Sequence, residues 1–468
     1  VISDYDIAIV GAGDVGAAIA RELARFELRV ALLDSGDVGA GTSKANTALL
    51  HTSFDAKPGT LEAALVARGH KLLLAFSDEV GIPVERTGAL LVAWTHEELA
   101  RLDAIERNAL ACGYANARRM PADELRHREP HLGAGALGAL EIPDEFIICP
   151  FTPPLAFATQ AALAGVDVRR FDPVTGLHRV RSGWLMQTVD CQLSAGWVIN
   201  AAGLRSDEIH RLAGLDGFTV RPRRGELIVF DKAARRLVSH ILLPVPTERT
   251  KGVLIAPTVF GNVMVGPTAD DIDDKRDTAS TASGIATLLA HGRRLLPALL
   301  EHEVTAVYAG LRAATEHVDY QLQACPELRY VCAGGIRSTG LSASMAIAEW
   351  VRDQLADCGL PLLERPSGLP GVRMPNIGES STRPYQDAAR IAADPAYGEI
   401  ICFCERVTRG EIRDAAHGPL PAHDLDGLRR RTRALTGRCQ GFFCAARVAR
   451  ELSAETGRDT AELWMCKR

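Results

Sequence analysis

No run of about twenty apolar residues occurs in this chain, so no segment is suited to cross a bilayer as a helix. Charge of one sign is not in excess either. With 53 Lys and Arg against 58 Asp and Glu, a formal net charge of −5 gives no reason to expect nucleic acid. The short basic run Arg429-Arg430-Arg431 reads as a solvated helix face rather than a phosphate-binding stripe. Internal repeats and low-complexity tracts are lacking. So is room for a secretory signal before the first apolar strand, which makes the cytoplasm the expected compartment. The eleven cysteines are then expected to be thiols or metal ligands, not a disulfide framework. What is present is an ordinary globular composition, 47% apolar and 24% charged, in 468 residues, a length that implies two or three domains.

The chain is organised around IAIVGAGDVGAAIARELARFELRVALLDSG near its start. The apolar run at 7–10 reads as a buried strand, broken by Gly11, Gly13 and Gly16, and a helix follows to about Arg25. A second apolar run at 30–33 ends on Asp34. Gly11 permits a tight turn, Gly13 lets backbone approach a pyrophosphate, and Gly16 lets helix and strand pack closely. The helix N-terminus offers free N–H groups to phosphate, and Asp34 can accept from a ribose. A purely structural βαβ unit is the rival reading. The ordered succession of strand, glycines, helix, strand and acid favours a dinucleotide.

Thr42, Ser43 and Asn46 form a small polar loop that suits a second cofactor contact, or simply caps a helix. His51 leaves a short apolar strand and points into whatever that strand faces; most histidines in such a setting are structural. Helix and strand signals alternate over 60–140, and mostly strands follow over 221–300, indicating a mixed or antiparallel sheet. The run at 197–200 ends in the small-residue turn Ala201-Ala202-Gly203, where backbone can come close to a cofactor or merely turn tightly. The strand RYVCAGG leads through Gly335 and Gly340 into another helix. Arg312 and Arg337 flank these elements on loops, and guanidinium in either place could hold an anionic substrate. Four prolines between 366 and 384 mark a linker.

A second constellation lies near the end. Cys402 and Cys404 form a C-x-C pair, and Cys439 and Cys444 a C-x4-C pair. Four thiolates in two close pairs can ligate a [2Fe–2S] cluster. Zinc is the rival, though its ribbons favour two-residue gaps. The other seven cysteines sit in ordinary contexts and read as structural thiols.

These motifs, with TSKANTALLH, VINAAG, AGLRAAT, GGIRSTGLSASMAIAEWV and the tail CFCERVTRGEI…RRRTRALTGRCQGFFC, resemble a known family over nearly the whole chain. It is the D-amino-acid-oxidase-type flavoprotein dehydrogenases, in the glycerol-3-phosphate dehydrogenase branch with a C-terminal bacterioferritin-associated-ferredoxin-like domain. The resemblance implies FAD on the Gly11–Gly16 loop, with Asp34 on the adenosine ribose. It places Thr42, Ser43, Asn46, Val174, Ala201, Ala202 and Gly203 along the FAD, and Gly335, Gly340 and Leu341 toward the flavin end. His51, Arg312 and Arg337 would lie near the isoalloxazine as base and anion clamp. The implied reaction is hydride transfer from a small anionic secondary alcohol, foremost glycerol 3-phosphate. Electrons would leave through a [2Fe–2S] cluster to a second flavoprotein subunit. The stretches KPGTLEAALVARG and GALLVAW also resemble L-2-hydroxyglutarate oxidases, which keeps oxidation of a 2-hydroxy acid or an amino or imino acid open. A third reading is an electron-transfer subunit without turnover of its own.

The expected fold class is α/β: a Rossmann-like FAD-binding domain, an inserted mixed-sheet substrate domain, and a small, mainly helical [2Fe–2S] domain. Residues 1–75, 150–220 and 305–360 are assigned to the first, 76–149 and 221–304 to the second, 361–395 to a linker and 396–468 to the third. The protein is expected to be cytoplasmic, reaching a membrane only through a partner.

Overall fold

A computed structural model describes residues 3–246, 252–379 and 381–464. The strand Tyr5–Val10 lies at the heart of an eight-stranded sheet, and Ile7, Ala8 and Ile9 are completely buried. Burial on both faces explains why the run is continuously apolar and not alternating. Val30–Leu33 pairs parallel on one side, with Ile7 opposite Val30, and Asp167–Arg169 extends the sheet beyond it. On the other side Gln192–Asn200 pairs parallel, with Val10 opposite Asn200. Its last residues also pair parallel with Tyr330–Gly334, whereas its first residues continue antiparallel into Gly183–Thr188. The helices Asp14–Leu23, Leu61–Val80 and Gly340–Asp357 pack together against this sheet.

A nine-stranded sheet stands beside it, built around the long antiparallel pair Arg221–Phe230 and Val304–Ala314. Residues 305–314 of the latter strand, allotted from the sequence to the first unit, therefore hydrogen-bond in the second sheet. A small three-stranded sheet joins Leu49–Leu50, Phe146–Ile148 and Val84–Glu85 between the two.

The C-terminal portion has its own core, in which Ile401, Val407, Ile412, Leu428, Val448 and Leu452 are buried together. It consists of the two-stranded ladder Ile400–Cys402 and Val407–Thr408 and the helices Arg409–His417, Leu425–Thr432, Ala445–Thr456 and Thr460–Trp464. Thr408 and Glu411 close a reciprocal capping box on the first helix, and Asp424 caps the second. The basic run differs from its expectation. Arg430 and Arg431 are only 3% and 9% exposed, because both converge on Asp37 after the second strand, at 2.9 and 2.6 Å. Arg170 adds a third guanidinium to the same carboxylate at 2.9 Å. These charges hold Asp37 well below the usual carboxylate range despite its burial.

Candidate active site and thiol cluster

The register of the small sheet decides the first constellation. Leu50 pairs with Phe146, so the residue leaving one strand, His51, meets the residue entering the other, Glu145. His51 Nδ1 lies 3.0 Å from Glu145 Oε2. Glu145 is wholly buried, and its Oε1 accepts from the Thr52 backbone N–H at 2.6 Å and the Thr52 hydroxyl at 2.9 Å. A carboxylate held this way keeps a proton on Nδ1 and makes Nε2 the basic nitrogen. The His51 backbone N–H donates to Ser342 Oγ at 2.9 Å, which ties the residue to the helix Gly340–Asp357.

His51 lines a cavity of about 510 Å³ at the junction of the two large sheets. Of the residues singled out from the sequence, Gly13, Thr42, Ser43 and Asn46 form one wall, and Ala201 and Gly203 continue it. Gly335, Arg337, Gly340 and Leu341 enter from the last parallel strand and its helix, and Arg312 from the antiparallel pair. Five others are not on the wall. Gly11, at φ +108°, turns so tightly that a Cβ would stand 2.3 Å from Ala201 O. A Cβ on Gly16 would stand 1.8 Å from Gly11 O, so only glycine allows helix and turn to meet. Asp34 accepts from Ala12 N–H at 2.6 Å and Gly36 N–H at 2.8 Å, bracing that turn from the neighbouring strand. Ala202 N–H donates to Asn200 Oδ1 at 3.2 Å, and Val174 pairs with Thr188 and packs against the core.

The cavity's charge is positive where the second sheet meets it. Arg223 and Arg312 are register partners; Arg223 is spent on Asp271, at 2.6 and 3.0 Å. Arg312 donates to Thr268 O at 3.1 Å, and burial beside Arg223 pushes its guanidinium down to about 10. Arg337 donates to Thr315 O at 3.4 Å, and its Nε is buried with no partner. Neither arginine meets a carboxylate among the described residues. Sequence reasoning missed Glu145, since an acid before an apolar strand carries no signal, and Asp14, which stood within the glycine motif.

The four cysteines come together as two thiol pairs, Cys402 with Cys444 and Cys404 with Cys439. One thiol of the first pair is held toward thiolate by the other's hydrogen bond, and backbone N–H groups of Leu435 and Glu405 support it. No three His, Cys, Asp or Glu among the described residues are grouped closely enough to hold one metal ion between them. Two thiol pairs with N–H donors to sulfur are the donor set that two irons require. Phe403, Phe442 and Phe443 stand next to these cysteines, exposed by 69%, 85% and 81%. The portion is moored by Lys44 on Asp426 at 3.2 Å, by Arg438 on Asp231 and Glu303, and by Arg433 over the Phe260 ring at 3.8 Å.

The fold and these two constellations define a dinucleotide-dependent oxidoreductase with an appended iron–sulfur unit. Residues 6–354 match the FAD dependent oxidoreductase model and residues 400–453 the BFD-like [2Fe-2S] binding domain model. The chain belongs to the FAD dependent oxidoreductase family, and its cofactors are FAD and a [2Fe–2S] cluster. It is 33% identical over 462 residues to a glycerol 3-phosphate dehydrogenase from Caloramator mitchellensis, covering 98% of this chain and 96% of that one. It is 26% identical over 492 residues to one subunit of the anaerobic glycerol-3-phosphate dehydrogenase of Escherichia coli, covering 95% and 87%. Among solved structures, dithionite-reduced L-alpha-glycerophosphate oxidase from Mycoplasma pneumoniae with FAD bound superposes with a TM-score of 0.75 at 26% identity, covering 80% of this chain and 99% of that chain. The residues present fit FAD. Glycines 11, 13 and 16 open the helix terminus, and the cavity beside it holds an orphaned Asp14 Oδ1 and Arg337 Nε.

Proposed function

We propose that this chain oxidises glycerol 3-phosphate at its secondary alcohol. Two recessed guanidiniums without a carboxylate, in the same cavity as a histidine backed by a buried glutamate, carry this reading. A buried cation without a counterion is costly, so the pocket is made for an anion that arrives with the substrate. Arg312 and Arg337 would grip the phosphate through their planar N–H forks. His51 Nε2 would take the hydroxyl proton while Glu145 stabilises the resulting imidazolium. Leu227, Leu243 and Leu254 on the opposite wall would keep water from the reacting carbon. FAD supplies the hydride acceptor, and the cluster supplies a one-electron carrier.

Gly13, Thr42, Ser43, Ala201, Gly203, Gly335, Gly340 and Leu341 would hold the FAD, with Gly11, Gly16 and Asp34 shaping its cradle. Cys402, Cys404, Cys439 and Cys444 would hold the cluster. Electrons would pass through it to a second flavoprotein subunit. The Escherichia coli relative is itself one subunit of its enzyme, and phenylalanines stand exposed beside the thiols here; both support that route.

The test is anaerobic titration of the purified holoprotein with glycerol 3-phosphate, L-2-hydroxyglutarate and amino acids in turn. Loss of oxidised-flavin absorbance with glycerol 3-phosphate is expected. Bleaching by hydroxyglutarate alone would transfer the reading to a 2-hydroxy acid. No bleaching by any of them, with flavin and iron present, would leave an electron-transfer subunit.

A further inference from the structure

Asp14 is the first residue of the helix Asp14–Leu23, where the N–H groups and the positive end of the helix favour an anionic ligand. An ionised carboxylate there competes with that ligand. The residue is 7% exposed, lines the cavity, and its Oδ1 has no partner among the described residues. Its own N–H donates to Ser43 Oγ at 3.0 Å, and the Ser43 hydroxyl is the one side chain acting on its carboxyl.

The neighbouring charges are engaged elsewhere. Lys44 pairs with Asp426, and Asp34 accepts from the Ala12 and Gly36 N–H groups. Among the other titratable groups of the cavity wall, Glu62 accepts from the Thr339 hydroxyl and His51 faces Glu145. Asp55, Lys57, Arg223, Arg312 and Arg337 complete the charged groups of that wall, and none of them acts on the Asp14 carboxyl.

We propose that Asp14 binds FAD as a neutral carboxylic acid, donating its proton in a hydrogen bond to a diphosphate oxygen, so that FAD binding takes up one proton from solvent. Burial already pushes the carboxyl up to about 7, so protonation is accessible near neutrality. A dianionic diphosphate raises it further, since like charges disfavour the ionised form and hydrogen bonding favours the acid. The sign follows. The bound state holds the proton to higher pH than the free state, so the Kd for FAD is flat in mild acid. It rises by up to about tenfold per pH unit above the free carboxyl's pKa.

The experiment uses the full-length chain stripped of flavin, with FAD binding followed by calorimetry at about pH 8 in two buffers of different ionisation enthalpy. Wild type should take up close to one proton per FAD. The near-isosteric Asp14→Asn, whose amide donates at every pH, should take up none and show a pH-independent Kd. The wild-type proton count stands even if the variant folds poorly. Zero uptake by wild type, equal uptake by Asp14→Asn, or binding that requires Mg²⁺ without proton uptake would each overturn the proposal.

Discussion

Asp37→Asn is the sharpest perturbation of how the iron–sulfur portion is held. The carboxylate is 2% exposed and receives Arg430 at 2.9 Å, Arg431 at 2.6 Å and Arg170 at 2.9 Å. An amide removes the anion and leaves three cations. Arg430 retains Asp426, but Arg431 retains only the carbonyls of Leu420 and Gly427. Breaking a buried pair on one side costs about 3–5 kcal/mol. The remaining partner of Arg430 argues for the lower end, about 3 kcal/mol. In calorimetry the transition of the C-terminal portion should fall by about 12 °C or more, and proteolysis in residues 361–395 should accelerate. Adding Arg431→Met should recover part of the loss, since an apolar side chain leaves no orphan charge. The pH sign is that of a depressed carboxylate: the Asp37 contribution is complete above its unfolded pKa of about 3.9 and fades as pH falls through the lower folded value. Wild type and Asp37→Asn should therefore differ at neutral pH and converge in acid. An unchanged melting profile at neutral pH would refute the reasoning.

Three further outcomes are expected. Glu145→Gln keeps the shape beside His51 but removes the charge that sets its tautomer; kcat should fall at least about 100-fold, with KM within about threefold. Arg312→Ala and Arg337→Ala should each raise KM for the anionic substrate at least about tenfold, and an unchanged KM would remove that residue from the clamp. Cys439→Ser should lose iron and cluster absorbance while flavin content and single-turnover flavin reduction persist, because the thiols and the cavity lie in separate portions of the fold.

Local chemistry was written in the sequence. Gly11, Gly13 and Gly16 announced a turn that no other residue could make, and the structure shows why in the clash of an added Cβ on Gly16 with Gly11 O at 1.8 Å. The strands at 7–10 and 30–33, the Ala201–Gly203 turn and the C-x-C and C-x4-C spacings were legible for the same reason. Each depends on a few adjacent residues, through apolar periodicity, turn chemistry or ligand spacing. The basic run at 429–431 was misread because its counter-charge, Asp37, lies almost the whole chain away; within its own helix it looks solvated.

Tertiary structure alone decided which residues share the cavity. His51 meets Glu145, 94 positions along the chain, because Leu50 pairs with Phe146, and Arg312 lines the same cavity from the second sheet, where it is the register partner of Arg223. Register and packing fix such meetings, and a one-residue slip would turn each side chain to the opposite face. The sequence by itself determined a dinucleotide turn, two regions of sheet and a set of four cysteines, while the fold decided that Cys402 meets Cys444 and Cys404 meets Cys439. Only the folded chain could supply a histidine with its carboxylate and arginines stripped of counterions, because long-range pairing brings their partners together.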